Sequence, residues 1–206
     1  MLKMYGFWRS AASFRVRIAM NLKGLSHDDT YLHLEKGDQF DPAYKALNPN
    51  SRVPTIEDGD FVLWESNSIM RYFCMKYGGE ALYPADPATR ADIDRWLDWS
   101  LSILVPVESP LFLGTVRTPP EKRDMAVITK AAVDAGKLWA RLDEKLAGKL
   151  YVAGQHFTMG DIPVGCFVHR WYALDIERPA LKNLRAWYDR LATRPAYAKH
   201  IMVKLT

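Results

Sequence analysis

Two serines, Ser10 and Ser13, stand where a short strand-like run, Lys3 to Trp8, gives way to a helical pattern. A hydroxyl at such a junction can do either of two jobs. It can accept a hydrogen bond from the free amides of the first helical turn and so cap the helix. It can also donate to an anionic atom that those amides and the helix dipole favour. Residue type and position leave both roles open for each serine. A second junction of this kind occurs at Glu65-Ser66, ahead of a helical pattern carrying Ile69, Tyr72 and Phe73. Exposed amides there can bind a carboxylate while Glu65 accepts from an ammonium group, and a plain helix start is the structural alternative.

Other chemistry-bearing residues read as structural. Thr158-Met159-Gly160-Asp161 sets a hydroxyl three residues before a carboxylate that can reach back to the backbone, with Phe157 and Ile162 spaced for a hydrophobic staple. Asp161 is therefore expected to fasten a helix start rather than to catalyse. Cys74 and Cys166 each sit among apolar neighbours, the pattern of small buried side chains in a reducing compartment and not of a disulfide or zinc framework.

The elements that must carry these residues show two regimes of periodicity. From residue 1 to 80 the period keeps changing. After the first strand, Val16, Ala19 and Met20 share one helical face and Ile18 and Leu22 another, which predicts a helix sandwiched on two sides and ended by Gly24. Thr30 to Leu34 alternates like a strand, giving a β-α-β start with a parallel pair. Val53 to Ile56 and Phe61 to Trp64 then flank Asp58-Gly59, the mark of an antiparallel hairpin, and a helix closing at Gly78-Gly79 follows. This order is that of an α/β thioredoxin-like domain. Residues 81–87 read as a linker, and 88–206 as an all-α bundle whose tryptophans, Trp96, Trp99, Trp139, Trp171 and Trp187, are expected to pack its interior.

Composition bounds the function class. With 49% hydrophobic and 25% charged residues, the 206-residue chain has the balance of a globular protein. Its net charge of +4 comes from cations interspersed with anions, without the concentrated basic stripe of a nucleic-acid binder, and suits anionic small ligands. The first residues lack the pattern of a signal peptide, and apolar stretches such as Leu101 to Val107 fall short of the ~20 residues that cross a bilayer. The expectation is a cytoplasmic protein with no membrane or nucleic-acid partner.

Three motifs in order carry a resemblance over nearly the whole chain. They are Arg9-Ser10-Ala11-Ala12-Ser13-Phe14-Arg15-Val16-Arg17-Ile18-Ala19; Gly37-Asp38-Gln39-Phe40 with Ala46-Leu47-Asn48-Pro49 and Val53-Pro54-Thr55; and Glu65-Ser66 before an apolar run. Together with the Thr158 cap they resemble the glutathione transferase superfamily, and the zeta class in particular. The resemblance implies the two-domain fold of that superfamily, with glutathione as co-substrate, no metal, a role in detoxification and a homodimer. It implies Ser10 as the catalytic hydroxyl that stabilises the thiolate, Pro54 as a cis proline that leaves Val53 free to pair with a bound tripeptide, Glu65 and Ser66 at the γ-glutamyl end, and Gln39 and Arg52 near the glycyl end.

The chain departs from the zeta pattern at Ala12, where the class has cysteine, and at Val105 and Ser109, aligned with its Gln and Asn. Conjugation of glutathione to a small hydrophobic electrophile is therefore the expected reaction. The alternatives are a glutathione-dependent isomerase of the maleylacetoacetate type and a non-catalytic binder of glutathione or hydrophobic ligands. A thiol reductase would need a cysteine near Ser10. The second substrate is expected between Trp8 and the helical half, near Val105, Leu111 or Phe112.

Overall fold

Strand β1 (Leu2–Gly6) turns Leu2, Met4 and Gly6 inward and Lys3 and Tyr5 outward, the alternation a pleated strand imposes. The computed structural model of the protein, which describes residues 1–205, divides into two units, Met1–Glu80 and the chain from Ala81 onward. In the first unit β1 leads through helix α1 (Ala11–Leu22) to β2 (Asp28–Tyr31), then α2 (Pro42–Leu47), β3 (Thr55–Asp58), β4 (Phe61–Trp64) and α3 (Ser66–Lys76). The sheet order is β2-β1-β3-β4. β1 and β2 are parallel, while β3 is antiparallel to both β1 and β4. This is a thioredoxin-like domain, and it is joined to an all-helical one.

Met4 and Ile56 from the sheet, Val16, Ile18 and Met20 from α1, and Ile69, Met70 and Phe73 from α3 are buried together as the core of this unit. Burying each side chain of that size contributes ~1.5–3 kcal/mol before the entropy of ordering it. The first helix is thus apolar on two faces, as its sequence requires. The second strand lies two residues earlier than its alternation predicts, at Asp28–Tyr31 rather than Thr30 to Leu34. Its parallel partner runs out, because Tyr31 already faces Gly6, and a 3-10 turn takes over at Leu34–Lys36. The hairpin turn also shifts by one residue, since Asp58 pairs with Phe61 and leaves Gly59, with φ of 64°, and Asp60 as the loop.

The second unit contains α4 (Pro87–Trp99), α5 (Val105–Phe112), α6 (Met125–Lys145), α7 (Asp161–Ala173), α8 (Lys182–Ala192) and α9 (Pro195–Ile201). Trp139, Trp171 and Trp187 fill its interior, and Trp96 is also buried. A π-helical turn at Ser100–Leu104 joins α4 to α5 and a second at Leu113–Arg117 extends α5, giving one helical run, Pro87–Arg117, of 31 residues. By length and composition this run could cross a membrane, which corrects the expectation that every apolar stretch is too short. The helix passes through Pro106 and Pro110, so the apolar stretch is longer than its proline-bounded pieces. Within the unit it packs along α6 and α7.

Asp161 is fully buried at the start of α7. Its carboxylate accepts from the amides of Thr158 at 2.8 Å and Val152 at 3.0 Å, the Thr158 hydroxyl at 3.3 Å and the Trp187 indole at 2.9 Å. The reach back to Thr158 is the half of the capping box that the sequence predicts. The other half differs, because the Thr158 hydroxyl donates to the carboxylate instead of capping an amide. Burial pushes the Asp161 carboxyl up to about 6, against the four donors that pull it down.

Candidate functional site

The turn after β1 separates the two serines. Ser10 has extended backbone, caps α1 and donates its amide to Phe7 O at 3.1 Å. Its Oγ accepts from the Ser13 amide at 3.2 Å. Ser13 is wholly buried, and its own Oγ accepts from the Phe7 amide at 3.2 Å, tying the turn shut from within. Ser10 stays half-buried. A hydroxyl that accepts through a lone pair keeps its proton for another acceptor, so capping and outward donation coexist at Ser10. The first amides of α1, at Ala11 and Ala12, lack intrahelical acceptors as at any helix start. Beside the turn, Trp8 is exposed and the Arg9 guanidinium stacks 4.5 Å from its ring centroid.

Strand register gathers further residues at the same end of the sheet. Tyr5, near the end of β1, pairs with Thr55 at the start of β3, and Thr55 pairs in turn with Trp64 at the end of β4. Val53 and Pro54 therefore lie between the Ser10 turn and Glu65-Ser66. The Val53–Pro54 peptide is cis, and Val53 makes no backbone hydrogen bond among the described residues. Thr55 is held in the core by Tyr44 Oη at 2.9 Å and Asn48 Nδ2 at 3.1 Å.

Glu65 has φ of 73° and ψ of 110°, an unusual conformation for a side-chain-bearing residue and of the kind that clusters at ligand sites. α3 starts immediately after it with no side-chain cap. Its first amides can therefore face an anion. Glu65 is exposed and Ser66 buried.

Gln39 and Arg52 belong to the connection between β2 and β3. Gln39 sits in a 3-10 turn, Asp38–Phe40, with its Oε1 buried and without a hydrogen-bond partner among the described residues. A buried amide oxygen left this way is a place where a donor from a ligand or water fits. The Arg52 side chain is exposed, while its carbonyl accepts from Tyr44 Oη at 2.6 Å and Asn48 Nδ2 at 2.8 Å. No hydrogen bond among the described residues ties Gln39 to the group around Ser10.

Sequence reasoning passed over three residues that shape this end of the unit. Tyr44 and Asn48 hold the backbone leading into Val53, and Asn48 is part of the Ala46-Leu47-Asn48-Pro49 motif that flagged the region. Arg15 is buried on α1 and its Nη1 donates to Ser66 Oγ at 3.4 Å. Its signal was a charge three residues before Ile18, on a face that is otherwise apolar.

Two expected lining residues point elsewhere. Leu111 and Phe112 are buried in the helical unit, and the Arg170 guanidinium lies 4.0 Å over the Phe112 ring. Helical phase turns them toward α6 and α7, and Val105 alone of the three keeps partial exposure. Cys74 and Cys166 are buried and form no disulfide, and burial pushes the Cys74 thiol up.

Comparison with known proteins follows the same division. Residues 9–76 match the family model for the glutathione S-transferase N-terminal domain, and residues 104–195 that for the C-terminal domain. Glutathione S-transferase GstB of Escherichia coli K12 is 33% identical over 208 residues, covering 100% of both chains. Glutathione S-transferase Z1 of Arabidopsis thaliana is 33% identical over 172 residues, 82% of this chain and 76% of the relative. A theta-class glutathione S-transferase from Xanthomonas axonopodis pv. citri, solved with glutathione bound, is 44% identical with a TM-score of 0.95 and covers 100% of this chain and 99% of that one.

Proposed function

The chain belongs to the glutathione S-transferase family, and from that premise we propose that Ser10 is its catalytic hydroxyl. One observation carries the assignment. The Ser10 Oγ is occupied as an acceptor by the Ser13 amide, which leaves its proton to donate, whereas Ser13 is sealed in the core. A free thiol ionises near pH ~8.5, so most glutathione would be unreactive at neutral pH. A hydroxyl donor at a helix N-terminus favours the anionic sulfur. The thiolate electron pair then forms the new sulfur–carbon bond, while a leaving group departs with its own pair or the acceptor takes up a proton.

The remaining groups fit the rest of the tripeptide. The uncapped start of α3 at Ser66 suits the γ-glutamyl carboxylate and exposed Glu65 its ammonium. The unpaired backbone of Val53, set by Pro54, suits strand-like pairing with the peptide. Gln39, with its unpartnered oxygen, and Arg52, an exposed cation, are assigned to the glycyl end. In this reading residues 1–80 form the glutathione-binding domain, 81–87 the linker and 88–206 the domain that helps select a small hydrophobic electrophile. Zeta-class character rests on the sequence motifs; identity to the theta-class structure, at 44%, exceeds that to the Arabidopsis Z1 protein, at 33%. Cys74 and Cys166, buried and not joined in a disulfide, fit the reducing cytoplasm.

Ultraviolet titration of the glutathione complex tests the catalytic assignment. Ser10→Ala is expected to move the bound thiol back toward its value in solution, and Ser13→Ala to leave it in place. Equal shifts in both variants would sink the choice of Ser10. A homodimer is proposed as well, as the resemblance implies, with exposed Leu101, Ile103 and Leu113 on the long helical run available for contact. Light scattering showing only the 23.6 kDa chain would overturn it.

A further inference from the structure

We propose that Arg15 is a positioning residue for the γ-glutamyl carboxylate of glutathione, acting through the Ser66 hydroxyl. The proposal rests on the reading of Glu65 and Ser66 above and adds to it a group that touches no ligand. Arg15 is 2% exposed on α1, and its Nη1 lies 3.4 Å from Ser66 Oγ. That is long for a hydrogen bond and short for a charge acting on a dipole. Ser66 is the first residue of α3, whose opening amides have no side-chain cap.

The consequence follows from the donor inventory of a hydroxyl. An arginine can only donate, so Ser66 Oγ is the acceptor in this contact and its own proton is left to point at another acceptor. A guanidinium on the far side polarises that O–H and strengthens its donation. Because Arg15 is shielded from water, its charge is screened far less than that of a surface arginine. A buried cation and a helix N-terminus also share one sign of charge, so a carboxylate bound at Ser66 gains from both. α1 thus serves the proposed site twice, through Ser10 at its N-terminus and through Arg15 one turn and a half later.

The test compares two peptides. One is glutathione, and the other is γ-aminobutyryl-cysteinyl-glycine, which lacks the glutamyl α-carboxylate. Calorimetric affinities are measured for the full-length wild type, Arg15→Met and Arg15→Lys, and for the same changes combined with Ser66→Ala. Arg15→Met is expected to weaken glutathione about tenfold and leave the truncated peptide unchanged, the scale of one charge-assisted contact. The loss is expected to shrink in the Ser66→Ala background, and Arg15→Lys to recover part of it. In turnover, KM for glutathione should rise while kcat at saturation stays within about twofold.

Equal losses for both peptides, or no loss for either, overturn the proposal, since a merely structural arginine does not distinguish them. If Arg15→Met fails to fold, Arg15→Lys carries the same comparison, with a smaller loss expected for glutathione alone. Wild-type protein that binds neither peptide overturns the glutathione reading and this proposal with it. Wild-type binding with indiscriminate losses in the variants overturns the role of Arg15 only.

Discussion

Two hydroxyls three residues apart differ because of what each touches. The Ser13 oxygen satisfies the buried Phe7 amide, so Ser13→Ala leaves that amide without a partner. The loss is expected to be about 1–3 kcal/mol of stability, read as a lower urea midpoint, with the thiolate intact. Ser10→Ala should do the reverse, a small change in the midpoint and a large one in the bound thiol. Glu65 is a second residue where stability and function pull apart. Its φ of 73° is free of strain only for glycine, so Glu65→Gly should raise stability by up to about 1 kcal/mol while raising KM for glutathione. A variant that lost both, or gained both, would contradict the link between strain and site.

Helix starts carry most of the proposed site, and they come in two kinds. Neither α7 nor α3 has a side-chain cap, but the opening α7 amides of Asp161 and Ile162 already donate to Thr158 O and Met159 O, whereas the Ser66 amide that opens α3 has no backbone acceptor among the described residues. A start whose amides are taken has no capacity left for a ligand and an open one does, which separates α7 from α3, the helix proposed to bind glutathione. Asp161→Ala leaves the Val152 and Thr158 amides and the Trp187 indole without their acceptor in a dry interior. We expect it to remove more than about 2 kcal/mol of stability, or to prevent folding, with Asp161→Asn retaining part of the loss. Guanidinium unfolding with little change would show that water replaces the carboxylate.

At the scale of the molecule, a buried acid sets how stability depends on pH. Glu108 is wholly buried in the helical unit, its Oε1 accepting from the Trp139 indole. Burial pushes its carboxyl up from 4.5 to about 7, with the Trp139 donor and the Arg170 charge opposing. The folded state therefore holds this proton more tightly than the unfolded chain does. Its contribution is complete below pH ~4.5 and is lost as pH rises through about 7, a loss of order a few kcal/mol. Asp161, pushed up to about 6, slopes the same way. Glu108→Gln should thus flatten the decline in stability between pH 5 and 8, measured by denaturant titration across that range. An unchanged slope would mean that Glu108 ionises as freely in the folded protein as in the unfolded chain.

The chain's periods and breakers were enough to define the β-α-β and β-β-α halves of the first domain, the helical second domain and the junctions at Ser10 and Glu65. Those features depend on preferences within a few residues, such as side-chain alternation, helical phase, a glycine at a turn and a carboxylate three places after a hydroxyl. The tertiary structure alone decided which serine stays open, because Ser13 is closed off by the Phe7 amide across the turn. It also decided that β2 stops at Tyr31, where β1 offers no further partner, and that Leu111 and Phe112 face the bundle. Arg15 behind Ser66 belongs with these, as does the convergence of Val53 on both helix starts, for strand register and burial arise from contacts between residues far apart in the chain, and no local pattern records them.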